Sequence, residues 1–135
     1  MRSGAWTGLA AAALALSLAV GFAVNHVADR QRLEAHARAM TGGDPEAGRA
    51  ALSRRPCGGC HVIPGVRNAT GAVGPSLDGF ASRAYIDGRL QNTPDNLVAW
   101  IVDPHSIDPP NAMPATGVTP KEARDMAAYI YTLTP

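Results

Sequence analysis

Two thiols and an imidazole fall within five residues of this chain, in Cys57-Gly58-Gly59-Cys60-His61. Cys57 and Cys60 are its only cysteines, so they act together or not at all. Four chemistries use such a group: a short disulfide, a redox-active dithiol, a metal site and covalent attachment of haem. A disulfide across two intervening residues closes too small a loop to stabilise much, because the chain-entropy benefit grows with loop length. A thioredoxin-like dithiol belongs at a helix start inside a strand-helix-strand unit, and nothing here reads as a parallel sheet. Zinc needs a fourth ligand that the sequence does not identify, and the adjacent Cys60 and His61 are badly placed to share one tetrahedral ion. C-x-x-C-H accounts for all three residues as a haem c site: both thiols bond the porphyrin and the histidine ligates iron from one face.

The elements that must position this group begin with an anchor. From Gly4 to Val24 the chain carries no charge, and as a helix this run reaches roughly 31 Å, enough to cross a bilayer. A cleaved signal peptide is the competing reading, with Gly21-Phe22-Ala23 a tolerable cleavage site, but the apolar run is longer than such peptides use. The expectation is an uncleaved span over residues 1–24, with a buried core helix the least favoured reading. Arg30, Arg32 and Arg38 follow the span and only Arg2 precedes it, which by the positive-inside rule would place the carboxyl side in the cytoplasm.

Residues 25–43 read as a helical stalk in which Arg30, Glu34 and Arg38 form i,i+4 pairs, broken by Gly42-Gly43. Asp44-Pro45 then caps a new helix, so the folded domain is expected over 44–135. Thr93-Pro94 and the capping box Thr119-Pro120-Lys121-Glu122 open two more helices. The pattern predicts helices over 45–55, 94–103 and 120–133, a short helical turn near Tyr85, long loops and no strands: an all-α domain preceded by one transmembrane helix. Ala123, Met126, Ala127, Ile130 and Leu133 give the last helix one apolar face. So few apolar side chains hardly order loops of this length, and a large apolar cofactor would supply the missing centre. The net charge is +1 and Lys121 is the one lysine, which argues against nucleic acid as a partner.

With CGGCH in place, residues 44–135 resemble a class I cytochrome c. Gly48 and Leu52 stand where that family keeps a glycine and a large apolar residue, and "MAAYIYTL" is similar to its terminal helix, with Tyr129 lying against Gly48. "GPSLDGF" is similar to the segment whose proline carbonyl accepts a hydrogen bond from the axial histidine, which assigns Pro75 the orientation of His61. Methionine is the family's usual second axial ligand. Met113, in the proline-bounded "DPPNAMPATGV", is preferred over Met126, which sits on the apolar stripe of the last helix. The resemblance further implies that Trp100 and Ile101 wall the pocket beside Met113 and that Arg83 meets a haem propionate. Tyr85 and Asn92 divide evenly between propionate contact and loop packing. His26, His36 and His105 read as surface residues.

The implied function is one-electron transfer by a mono-haem carrier rather than an enzyme, with no small-molecule substrate. The anchored form is similar to the cytochrome c domains that serve haem-copper oxidases. Its expected partners are a quinol-oxidising donor complex and a terminal oxidase. Its expected place is the bacterial inner membrane with the haem domain in the periplasm, against the arginine bias. Two rivals stand beside this: a fixed subunit of a larger oxidase or dehydrogenase, and a haem gas sensor or peroxidase should Met113 be mobile.

Overall fold

A computed structural model describes residues 3–135 of the chain. The expected anchor's first residues, Met1 and Arg2, lie outside the described residues. The helix α1 runs unbroken from Ser3 to Thr41. Its segment Gly8–Thr41 is long and apolar enough to cross a membrane, with a best-window mean hydropathy of 1.9. The side chains of Leu14, Leu16, Leu18 and Phe22 along it are exposed, as on a helix that meets lipid. The chain divides into two units, one ending at Arg32 and one from Leu33 to Pro135.

The second unit takes in the last turns of α1. Ala37 is 0% exposed and belongs to the core, and Thr41 is buried with it. Gly42 ends α1 in the left-handed region at φ 68°, where its N–H reaches the Arg38 carbonyl at 2.9 Å. Thr41 Oγ1 then accepts from Gly43 N at 3.1 Å, and the Asp125 carboxylate accepts from Asp44 N at 2.8 Å. Arg38 reaches forward to Asp44 at 2.7 Å. The last turns of α1 are thereby sewn onto the helices that follow.

Helix α2, Pro45–Arg54, starts as its sequence dictates: the Asp44 carboxylate accepts from the N–H groups of Glu46 and Ala47, and proline takes the first turn. A single turn, α3, spans Cys57–Cys60. Helix α4, Pro94–Val102, is capped by Thr93, and α6, Pro120–Ile130, by Thr119. The proline-rich loop contains a short helix not expected from sequence, α5, Pro104–Ile107, where the Asp103 carboxylate accepts from Ser106 N.

Helices α2 and α4 both pack on α6. Around this seam lie Leu52, Ile63, Phe80, Leu97, Trp100, Ile101, Met126, Ile130 and Leu133, all buried. At Gly48 the helices touch backbone to backbone: a Cβ there would stand 1.8 Å from the Asp125 carbonyl oxygen. The family pattern placed Tyr129 at this crossing, but the Asp125–Met126 backbone is what Gly48 meets first. The Tyr129 hydroxyl donates to the Pro64 carbonyl at 2.7 Å.

The helical turn expected near Tyr85 is instead a 3-10 turn at Phe80–Ser82 followed by a hairpin, β1, Tyr85–Ile86, antiparallel to β2, Leu90–Gln91. Asp87 and Gly88 carry its turn at positive φ, 51° and 70°. An Asp-Gly pair between short apolar segments is a hairpin signal, and it outweighs helix propensity here.

Candidate haem site

One helical turn is the natural frame for C-x-x-C. At i,i+3 the two side chains leave α3 on one side, and His61 N closes the turn on the Cys57 carbonyl at 2.9 Å. Both thiols are free and half-buried. Burial is the main influence on Cys57 and pushes its thiol up, the reverse of the depressed thiol of a redox-active dithiol. Among the described residues no three His, Cys, Asp or Glu side chains converge as a metal-binding set, so the zinc reading has no ligand geometry behind it.

The loop after His61 folds back over the turn. Gly71 N donates to the Gly58 carbonyl at 3.0 Å, Gly74 N to the Cys60 carbonyl at 2.8 Å, and Leu77 N to the Val62 carbonyl at 2.8 Å. This fold-back is what requires two of the glycines. A Cβ on Gly58 would lie 2.8 Å from Ala69, and one on Gly71 would lie 2.2 Å from the Gly59 carbonyl oxygen. Gly59, between the two cysteines, faces open space.

The His61 ring is held from two sides. Gly74 backs it so closely that a Cβ there would be 2.4 Å from Cε1. Nδ1 lies 2.7 Å from the Pro75 carbonyl oxygen, which can only accept, so Nδ1 carries the proton and Nε2 keeps its lone pair for a metal. Sequence reasoning reached Pro75; Gly74 follows only from the folded backbone.

Met113 is half-buried and packs against the same core as Cys57, whereas Met126 is 1% exposed inside α6. Trp100 is buried on α4 and also lines a cavity of about 230 Å³ with Ile86, Leu90 and Ile107. His61 and Met113 are not among that cavity's lining residues. Arg83 lies over the Phe80 ring at 5.3 Å, and its Nη2 donates to the carbonyls of Ser76 and of Asp78, the latter at 2.9 Å. Asn92 is a packing residue: its Nδ2 donates to the Phe80 and Arg83 carbonyls, and its Oδ1 accepts from the Tyr131 hydroxyl at 2.8 Å. Tyr85 is exposed. His105 donates from Nε2 to the Asn111 carbonyl at 3.2 Å, and His26 lies beside Phe22.

Two free thiols on one side of a turn, an imidazole whose free nitrogen is Nε2, and a loop thioether on the same core fit a covalently attached haem. These features define a c-type cytochrome. Residues 45–134 match the family described as Cytochrome c, and the chain belongs to it, with haem c as its cofactor. The chain is also similar to proteins named cytochrome c oxidase subunit 2. The protein of that name from Alkalihalophilus pseudofirmus is 36% identical over 87 residues, which cover 64% of this chain and 25% of that protein. That from Bacillus sp. (strain PS3) is 32% identical over 87 residues, 62% of this chain and 24% of its own length. The Bacillus subtilis protein is 35% identical over 79 residues, 56% of this chain and 22% of its own length. The chain therefore spans about a quarter of the curated relatives it matches.

Proposed function

We propose that the protein is a membrane-tethered, mono-haem electron carrier. In this reading Cys57 and Cys60 hold the ring by thioether bonds, His61 and Met113 are its axial ligands, and Trp100, Pro75 and Arg83 serve the pocket wall, the histidine and a propionate. Residues 1–24 form the anchor, 25–43 the stalk and 44–135 the haem domain, on the periplasmic side of the bacterial inner membrane. The observation that carries the proposal is the Nδ1 bond of His61 to Pro75, which fixes the tautomer that leaves Nε2 free for iron. The bound haem supplies one-electron chemistry, and methionine ligation raises its potential. What the protein contributes is a fixed imidazole, an apolar surround and a loop that presents Met113.

The electron route we favour runs from a quinol-oxidising complex to a terminal oxidase. The full-length protein in detergent is expected to be low spin when oxidised, with the near-infrared sulfur-to-iron band. When reduced, it is expected to be reoxidised by membranes containing the oxidase. A high-spin spectrum that binds carbon monoxide without competition would turn the reading toward a gas sensor or peroxidase. The similarity to oxidase subunits also supports a second reading, a fixed subunit of such a complex. Co-purification with oxidase subunits in constant ratio after mild detergent extraction would favour it.

A further inference from the structure

Few hydrogen bonds hold the loop that carries Met113. Among the described residues, the segment 112–118 has two hydrogen-bonded tethers to the rest of the chain. Upstream, Met113 N donates to Asn111 Oδ1 at 2.8 Å. Downstream, Arg55 Nη1 donates to the Thr116 carbonyl at 3.3 Å.

Neither tether is loose at its other end. Asn111 Nδ2 and backbone N both donate to the Asp108 carbonyl, and the Asn111 carbonyl accepts from His105 Nε2. The Asp108 carboxylate is in turn paired with Arg89 of the hairpin turn at 2.8 Å. Arg55, two residues before Cys57, is forked onto Glu122 at 3.1 and 2.6 Å. Three prolines around Met113 limit what else its backbone can bond, since proline has no N–H to give.

We propose that Asn111 is the positioning residue of the Met113 thioether: by fixing the Met113 backbone to the end of α5 it sets how often the sulfur leaves the iron. The inference rests on Met113 being the axial ligand. Arg55 is the second tether, but its ion pair also joins α2 to α6, so Asn111 is the cleaner place to test the idea. A side chain that shapes the bound state of a loop, without adding to the core, acts on the loop's detachment more than on global unfolding.

The test uses the full-length, haem-loaded protein in detergent, with imidazole added to the oxidised form as the competing ligand. Asn111→Ala removes both side-chain hydrogen bonds, the one accepted from Met113 N and the one given to the Asp108 carbonyl, and is expected to speed imidazole binding by about three- to tenfold, while weakening the sulfur-to-iron band. Asn111→Ser, whose hydroxyl can accept from the same N–H two residues on, is expected to restore most of the difference. The thermal midpoint should move little in either variant. Met113→Ala serves as the control for the underlying reading. If it keeps the band, Met113 is not the ligand and the inference falls with that reading. If it loses the band while Asn111→Ala binds imidazole within about twofold of the wild-type rate, the ligand stands and the role of Asn111 is overturned.

Discussion

The His61 imidazole stands between a glycine and a proline carbonyl, and each neighbour acts on it differently. Pro75 decides which nitrogen holds the proton; Gly74 leaves the ring just enough room to take that bond. Gly74→Ala should therefore push the ring away from Pro75 while leaving both cysteines to hold the haem. The expected outcome is unchanged haem staining on a denaturing gel with a shifted spectrum and a raised potential, because the imidazole loses the bond that makes it a more basic ligand. An unaltered spectrum would show that the loop moves aside and that the contact is not restrictive. The two methionines separate in the same way. Met113→Ala should abolish the sulfur-to-iron band at modest cost in stability. Met126→Ala should keep the band and lose roughly 2 to 5 kcal/mol through the cavity it leaves, read from a denaturant midpoint.

Helix boundaries were written in the caps, and this is where sequence and structure agree best: Asp44-Pro45, Thr93-Pro94 and Thr119-Pro120 start α2, α4 and α6. Their pairing was not legible in the same way. No local rule says that Ala37 of the stalk helix is buried, because an alanine among charged residues looks like surface until a partner covers it. Nor does the motif reveal that Ala69 and Gly71 lie against it, since those contacts come from a loop folding back. The β1–β2 turn could have been found from Asp87-Gly88 alone.

The element contacts also predict how the fold responds to pH. The Arg55 guanidinium holds the Glu122 carboxyl below its ordinary 4.5, and the Ala47 N–H, bonded at the α2 cap, does the same to Asp44 below its 3.8. A lowered folded-state value means stability that is present above the ordinary value and lost as pH falls through the lowered one. Acid should thus loosen α2 and α6 below about pH 4.5, and Glu122→Gln should make the midpoint of thermal unfolding less sensitive to acid between pH 5 and 3. Both groups are half-buried and still reached by solvent, which screens them, so the effect is small. Tyr131 works at the other end: burial pushes its hydroxyl up from 10.0 to about 12. Its contribution is complete below about pH 10 and declines as pH rises toward 12, and Tyr131→Phe should remove that part of the alkaline loss.

At the scale of the whole molecule the proposed tether is tested by cutting after Arg32, where the first of the two units ends. Removing residues 1–32 behind a cleavable signal should give a soluble, haem-loaded domain of nearly unchanged potential. Removing residues 1–43 takes Ala37 and Thr41 as well and should lower the thermal midpoint. The domain from Asp44 onward carries eight basic and nine acidic side chains, so long-range charge gives it little steering toward a partner. Electron delivery by the shorter truncation should be slower at native abundance and recover when the soluble domain is added in excess. Equal delivery without the span would assign the anchor another purpose. The crossing of α2 on α6 has a meaning in time as well. A chain is made from its amino end, so Cys57, Cys60 and His61 emerge while Asp125 and Met126, the part of α6 on which Gly48 of α2 packs, do not yet exist. The bond from Asp44 to Asp125 joins positions 81 apart, which makes closure a late event. The attachment turn thus passes through an interval in which its own following loop can fold back on it but α6 does not yet hold α2. A chain halted before Pro120 should still take up haem covalently, yet melt without a cooperative transition.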